Sequence, residues 1–194
     1  MISRHPVRII VAVLYCLLLE THENLAQTPS AAAPRHATSV DLQAGQSYRA
    51  GVRVRVPNGT ASFPIPTGWR GERLDELAAV LLVSEKEAGF VLAFAILNHT
   101  EDELFALLGE PQPITDTLVF EPVGTVTRQG TNLTANYTAG SLAGRGLAVL
   151  GPDLQGVLFL HGRPQKAPRT SRTLLDELAE QVQFSTASDN SPAP

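Results

Sequence analysis

The chain has 194 residues, of which 43% are hydrophobic and 18% are charged, and its formal net charge is -4. This composition is typical of one globular domain and excludes an intrinsically disordered chain. The negative net charge and the lack of a long basic run in the sequence argue against a nucleic-acid-binding protein. The single cysteine, Cys16, lies in the apolar N-terminal segment, so the rest of the chain can form no disulfide and no cysteine-bound zinc site.

The first 26 residues have the three parts of a secretory signal peptide. Arg4 and Arg8 form a basic start, residues 9–19 are apolar, and a polar segment ends at Ala26. The apolar run is too short for a membrane-spanning helix, which needs about 20 residues. We therefore expect cleavage after Ala26 and export to the periplasm or the medium, with a cut near residues 31–33 as the alternative. An uncleaved signal would instead tether the domain to the membrane.

The segments that flank the domain contain few large apolar residues. Residues 27–46 are rich in Ala, Pro, Ser and Thr and predict a flexible leader, and residues 185–194 predict a disordered tail. Between them, residues 47–184 form a single predicted domain.

The domain begins with a predicted hairpin. Val52, Val54 and Val56 alternate with arginines, which is the period of a half-buried strand. An Asn-Gly dipeptide at 58–59 favours a tight turn, because both residues tolerate positive φ. Residues 61–65 form the return strand, which should be short or lie at a sheet edge because Pro64 and Pro66 cannot donate hydrogen bonds to a ladder.

The next elements are a turn and two strands. A Pro-Thr-Gly-Trp turn is predicted at 66–69. Residues 73–79 are compatible with a helix, yet the apolar run at 79–84 favours a strand. Residues 90–97 are apolar throughout and predict a central strand that is covered on both faces.

Two helices enclose a predicted strand meander. Thr100 and Glu103 form a capping box that begins a short helix ending at residue 108. Apolar residues at helical spacing predict a closing helix at 171–181. Five short strands are predicted between the helices, at 117–120, 124–129, 132–139, 145–150 and 156–161.

Two segments resemble exported bacterial domains of the PsbP/Mog-like type. They are the sequence FPIPTGW at 63–69 and the amphipathic closing helix with its Val-Gln-Phe end at 182–184. The resemblance covers about residues 48–184. It implies an α+β fold in which an antiparallel β-sheet lies between helices, an α/β/α sandwich. It also implies a domain that binds or assists rather than catalyses, without shared catalytic residues.

The motifs that suggest catalysis do not match the geometry they require. A nucleophile elbow needs glycines two residues before and after its serine, whereas Gly140 directly precedes Ser141. The Gly-Arg-Gly sequence at 144–146 lacks the third glycine of a dinucleotide fingerprint. We therefore expect no enzyme, no cofactor and no metal site. The histidines beyond the signal are not spaced as metal ligands: His36, His99 and His161.

Four residues are candidates for a binding surface. Arg53 and Arg55 form a basic stripe on one strand, which Arg70 extends. Trp69 offers a stacking surface, although a lone Trp beside a turn more often packs in the core. The first hypothesis is an exported non-catalytic domain that binds a protein partner or an envelope component. The alternatives are a small-molecule or lipid binder and an enzyme of unrecognised type, for instance a hydrolase that uses Ser141.

Overall fold

The structure is a computed structural model that describes residues 39–86, 88–166 and 171–185. The expected signal peptide, residues 27–38 of the leader and residues 186–194 of the tail lie outside the described residues. In the described ranges, no helix is both long and apolar enough to cross a membrane.

Strands dominate the described part of the chain. It contains thirteen strands, two α-helices and one short 3-10 helix at Asp75–Leu77. The helices are α1 (Glu101–Leu108) and α2 (Ser171–Glu180). The strands are β1 (Val40–Asp41), β2 (Ser47–Arg49), β3 (Arg53–Arg55), β4 (Ala61–Pro64), β5 (Trp69–Leu74), β6 (Ala79–Ser84), β7 (Phe90–Leu97), β8 (Gln112–Thr115), β9 (Leu118–Gln129), β10 (Asn132–Ala139), β11 (Leu142–Leu150), β12 (Gln155–Pro164) and β13 (Gln183–Phe184).

The strands form two sheets. The small sheet has the order β1-β3-β4-β13, and the large sheet has the order β2-β5-β6-β7-β12-β11-β10-β9-β8. All pairs of the large sheet are antiparallel, whereas β1 runs parallel to β3. We call the side of the large sheet that carries Val91, Val157 and Phe159 the front face. The side that carries Leu92, Leu158 and Leu160 is the back face.

The front face is covered by the small sheet and α2. Val54 and Phe63 of the small sheet pack there, and the rings of Phe63 and Phe159 meet edge to face with centroids 5.1 Å apart. From α2, Leu175 and Leu178 join the same cluster and are almost completely buried. Burial of these apolar side chains is the main source of stability at this interface.

The back face packs against α1. Leu104 and Leu108 of this helix are fully buried against Phe120 and Leu133 of the large sheet. The N-terminal end of the helix is also held by charge, because Arg128 on β9 forms ion pairs with the carboxylates of the first turn at 2.7 and 3.6 Å.

The expected α/β/α sandwich is wrong. The described part of the domain is mainly β, with two sheets and two short helices of eight and ten residues. The layer on the front face is largely a second sheet, because the alternating apolar residues of β3 and β4 pair with each other and pack onto the large sheet. On the back face, the eight-residue α1 supplies two fully buried side chains.

Several local predictions are confirmed. The strand at 90–97 is β7 within the same bounds, and Asn58 has the positive φ, 63°, that its turn requires. The capping box is present, since the Glu103 amide donates to Thr100 Oγ1 and the Thr100 amide donates to Glu103 Oε2 at 2.8 Å. The ambiguous stretch after residue 73 resolves into the end of β5, the 3-10 helix and β6.

Other elements differ from the expectation. The predicted strands at 117–120 and 124–129 are one twelve-residue strand, β9, whose pairing with β10 shifts register opposite Ala135. Gly124 in this stretch has φ of 79°, which a bulge can accommodate. Trp69 begins β5 instead of ending a turn. In residues 39–46, which the sequence assigned to the leader, β1 pairs with β3 and Leu42 is only 2% exposed.

Candidate functional site

Arg53 of the predicted basic stripe supports the small sheet. It and Arg55 flank the buried Val54, so both side chains leave β3 on the side away from the core. Arg53 Nη1 donates to the carbonyl oxygens of Ser62 and Gln181, each at 3.1 Å. Burial lowers the pKa of Arg53 from its ordinary value. This guanidinium therefore connects β4 to the segment that follows α2.

Arg55 lies beside a small pocket of about 130 Å³ that Arg73 also lines. Arg55 Nε is 3.7 Å from Asp41 Oδ1, and Arg73 forms an ion pair with Asp75. Each guanidinium thus already faces a carboxylate of its own chain, which reduces the attraction of this pocket for an anion.

The other two predicted residues lie elsewhere. Trp69 is 7% exposed and belongs to the front core, where its ring meets that of His161 edge to face at 6.4 Å. Arg70 follows it in β5 and therefore points to the back face. Arg70 Nε is buried and makes no hydrogen bond within the described residues. The structure does not bring Arg70 together with Arg53 and Arg55 on one surface.

A row of side chains on the front face forms a site that the sequence did not reveal. The strand register aligns Val123, Asn136, Arg145 and His161 across β9, β10, β11 and β12. The contact between the His161 and Trp69 rings identifies this row as part of the front face. The row continues the apolar front core into a polar region.

A second row runs parallel to the first, two residues away on each of β10, β11 and β12. It contains Thr138, Ala143 and Arg163. Beyond it, Gln165 Nε2 donates to Thr138 Oγ1 at 3.3 Å and to the Gly140 carbonyl at 3.2 Å. The small Ala143 between two longer side chains leaves a depression in the sheet surface.

Together the two rows line an open pocket of about 480 Å³. Asn136, Thr138 and Gln165 provide uncharged hydrogen-bonding groups, and Arg145 and Arg163 provide positive charge. Among the described residues, those that line the pocket include no carboxylate. Both arginines also have partners within the protein, and one partner of Arg145 is Asp176.

His161 stands at the buried end of the pocket and is 5% exposed. Burial lowers its pKa to about 4, and the positive charges of Arg163 and Arg145 contribute to the shift. The imidazole is consequently neutral at pH 7, with one N–H donor and one nitrogen acceptor. Arg145 Nη2 lies 3.3 Å from Asp176 Oδ1, so α2 anchors this side of the pocket.

Gly89 brings the connection between β6 and β7 close to His161. A Cβ at this position would lie 3.3 Å from His161 Nε2 and 3.0 Å from the Gly162 carbonyl oxygen. Its φ of 151° is also unfavourable for other residues. A glycine here allows the backbone to approach the imidazole.

The Gly-Arg-Gly sequence at 144–146 has a packing role. It lies inside β11, so the two glycines face the back while Arg145 faces the pocket. A Cβ on Gly144 would be 2.5 Å from Phe120 Cδ1, and a Cβ on Gly146 would be 2.9 Å from Tyr137 Cε2. The glycines therefore make room for two aromatic rings of the back core.

Ser141 lies in the turn between β10 and β11, where its carbonyl accepts a hydrogen bond from the Gln165 amide at 3.0 Å. Its side chain makes no hydrogen bond to a histidine or carboxylate in the described ranges. His99 Nδ1 lies 2.7 Å from the Leu97 carbonyl oxygen. Within residues 39–86, 88–166 and 171–185, no group of three or more His, Cys, Asp or Glu residues is placed to hold a metal ion.

The sequence did not predict the pocket, because the residues that line it are spread over four strands. The alternation of polar Thr134, Asn136 and Thr138 with apolar residues does indicate a strand with one polar face. This alternation cannot indicate that Arg145 lies beside Asn136 or that His161 lies in the same row, since only the strand register places them there.

No protein-family model matches the sequence, and no curated protein sequence matches it significantly. The structure is similar to the crystal structure of the Saccharomyces cerevisiae Ran-binding protein Mog1p, with a TM-score of 0.46 and 10% sequence identity. The similarity covers 70% of this chain and 96% of that chain. A likeness this weak says nothing about ligand, partner or export.

Proposed function

We propose that this chain is an exported, non-catalytic binding domain that recognises a protein partner or an envelope component through the open front-face pocket. The observation that carries the proposal is the pocket itself, which four adjacent strands build from hydrogen-bonding and charged side chains. Its volume of about 480 Å³ lies within the range of ordinary ligand sites.

The construction of the pocket supports a role in binding. All of its lining residues except Gln165 stand on strands of a nine-stranded sheet, so their positions are set before a ligand arrives. A site that is already ordered loses little conformational entropy when it binds. The volume suits a side chain or a single unit of a polymer, so we expect a partner to insert one such group.

Site-specific photo-crosslinking tests this proposal. A benzophenone amino acid replaces Ala143 at the pocket floor and, as the matched control, the exposed Ala106 on α1. Both proteins are expressed in the cells from which the chain comes and irradiated, and cross-linked products are identified by mass spectrometry. We expect a defined partner from position 143 and none from position 106. Equal labelling from both positions, or no product from position 143, would contradict the proposal.

Export is tested separately. Cell fractionation and N-terminal sequencing of the mature protein should give a species in the periplasm or the medium that begins after Ala26. Full-length protein retained in the cytoplasm would refute this part of the proposal without affecting the pocket.

A small-molecule ligand is the second candidate, because the pocket volume suits one equally well. Native mass spectrometry of protein purified from its own cells distinguishes a small-molecule ligand from a macromolecular partner. A retained non-protein mass that disappears when Ala143 is replaced by Trp favours the small molecule.

A further inference from the structure

We propose that the front-face pocket binds an uncharged sugar unit, whose hydroxyl groups form hydrogen bonds with His161 and Asn136. This inference rests on the proposed function, because it names the ligand class of the same pocket. Such a ligand does not depend on the charge of the arginines. Arg145 is paired with Asp176 at 3.3 Å, and Arg163 also has a partner within the protein.

His161 is the buried hydrogen-bonding group of the pocket. The residue lines the pocket and is 5% exposed, yet its imidazole makes no hydrogen bond to any described residue. In the described ranges, the fully enclosed side-chain nitrogens without a partner are all Nε atoms of arginines, so the imidazole nitrogens keep contact with the surface. A buried polar group gains from a ligand that supplies the hydrogen bond it lacks.

Nε2 of His161 lies at the end of the pocket near Gly89 and Arg163. A Cβ on Gly89 would be 3.3 Å from Nε2 and 3.3 Å from Arg163 Cβ. Because Gly89 has no side chain, the space between Nε2 and the second row of the pocket stays open. One nitrogen of a neutral imidazole donates and the other accepts, and a hydroxyl group can meet either of them because it also does both.

Asn136 is the second uncharged group, at the other end of the same row. Its carboxamide makes no hydrogen bond within the part of the chain that the structure describes, whereas Gln165 and Thr138 already bond each other. Asn136 is opposite Arg145, which is opposite His161, so two strand spacings, about 10 Å, separate the backbones of Asn136 and His161. A sugar unit carries several hydroxyl groups around one ring and can contact both residues, whereas a serine or threonine side chain carries one.

Other ligand classes fit these groups less well. A cation finds no carboxylate among the described lining residues, and the two arginines repel it. An apolar ligand would leave His161 and Asn136 without partners. An anion would have to compete with Asp176 for Arg145. An uncharged ligand that is rich in hydroxyl groups satisfies both residues and leaves the ion pair in place.

Nuclear magnetic resonance titration of the isotope-labelled protein tests the inference. The probes are glucose, galactose, mannose and N-acetylglucosamine, and the readouts are the backbone amides and the imidazole nitrogens of His161. We expect saturable binding of at least one probe with a Kd of about 10 mM or below. The imidazole nitrogen signals of His161 should shift with the same Kd, because a new hydrogen bond changes them directly.

Two variants remove the hydrogen-bonding groups, and a third is the matched control. Asn136→Ala and His161→Phe should each weaken binding about five-fold, the loss expected for one neutral hydrogen bond. Asn132→Ala removes the same side chain from the same strand and face, outside the pocket, and should leave the Kd within about two-fold. If His161→Phe does not fold, Asn136→Ala and the imidazole signals of the unchanged protein still decide.

Three outcomes would overturn the inference. The first is the lack of saturable binding of any probe up to about 50 mM. The second is binding that leaves the imidazole signals of His161 unchanged. The third is equal weakening by Asn136→Ala and Asn132→Ala, which would place the sugar outside the pocket.

A neutral peptide with one serine, and its alanine analogue, test the other source of a hydroxyl group. Tighter binding of the serine peptide than of every sugar, with a shift of the His161 signals, would replace the sugar by a protein side chain. The failures remain distinct. A protein partner cross-linked at position 143 without sugar binding leaves the proposed function and removes the sugar, whereas sugar binding without a cross-linked product does the reverse.

Discussion

Replacement of Tyr137 by Phe should destabilise the domain by removing a hydrogen bond between α1 and the back face of the large sheet. The Tyr137 hydroxyl donates a hydrogen bond of 2.7 Å to the carbonyl oxygen of Leu108. Tyr137 is 3% exposed and Leu108 is fully buried. Burial raises the pKa of Tyr137 to about 12, so the hydroxyl remains a donor throughout the neutral range.

The size of the effect follows from the carbonyl that is left behind. Leu108 is the last residue of α1, where carbonyl groups have no partner within the helix. A net hydrogen bond contributes about 1 kcal/mol, and leaving a buried acceptor unsatisfied costs about 1–3 kcal/mol. We therefore expect the free energy of unfolding to fall by about 2 kcal/mol.

Urea unfolding at pH 7 measures this loss. With a typical dependence of stability on urea, about 2 kcal/mol shifts the midpoint by about 1 M without changing the slope. Tyr48→Phe is the matched control. The Tyr48 hydroxyl donates to Gln46 Oε1 and accepts from the Gln43 amide, both at the surface, so its loss should cost less than about 0.5 kcal/mol. Equal losses in the two variants would refute the reasoning.

Three further predictions concern other parts of the domain. The folded pKa of His161, about 4, lies below the unfolded value of 6.5, so the unfolded chain binds a proton first as pH falls. Stability should decrease between these values by at most about 1.4 kcal/mol per pH unit, and His161→Gln should remove this part of the pH dependence in urea titrations. Gly144→Ala should cost about 1–3 kcal/mol through its clash with Phe120, and thermal unfolding of the double variant with Phe120→Leu should reveal partial recovery rather than additive losses. Thr100→Ala should cost about 1 kcal/mol at pH 7, while Thr100→Ser should retain most of the stability; equal losses would exclude the cap.

Features encoded by neighbouring residues were predictable from the sequence. The capping box of α1 needs only Thr100 and Glu103, and the turn at Asn58 needs only two adjacent residues. The apolar run of β7 likewise indicates a buried strand by itself. The predictions of these elements were correct because the residues that cause each element lie within a few positions of each other.

Features set by distant pairing were not predictable. Leu42 alternates with Val40 and Ala44, but this run is short and follows a segment rich in Ala, Pro, Ser and Thr. Its burial depends on the pairing of β1 with β3, which the sequence does not reveal. The arginines of β3 looked like a free basic surface, yet Arg53 bonds the carbonyl of Gln181, far along the chain. The pocket depends on the alignment of Asn136 with Arg145, and a strand pattern alone gives no register.

The small sheet has a consequence for the order in which the chain acquires its structure. Its edge strands, β1 and β13, come from opposite ends of the described chain, and the ring of Phe184 in β13 packs against Gly151. Contacts between such distant segments form slowly. A nascent chain that stops before residue 183 cannot complete this sheet, so the front core should close only after synthesis of the whole domain. A ribosome-stalled series of increasing length should accordingly gain protease resistance in one late step.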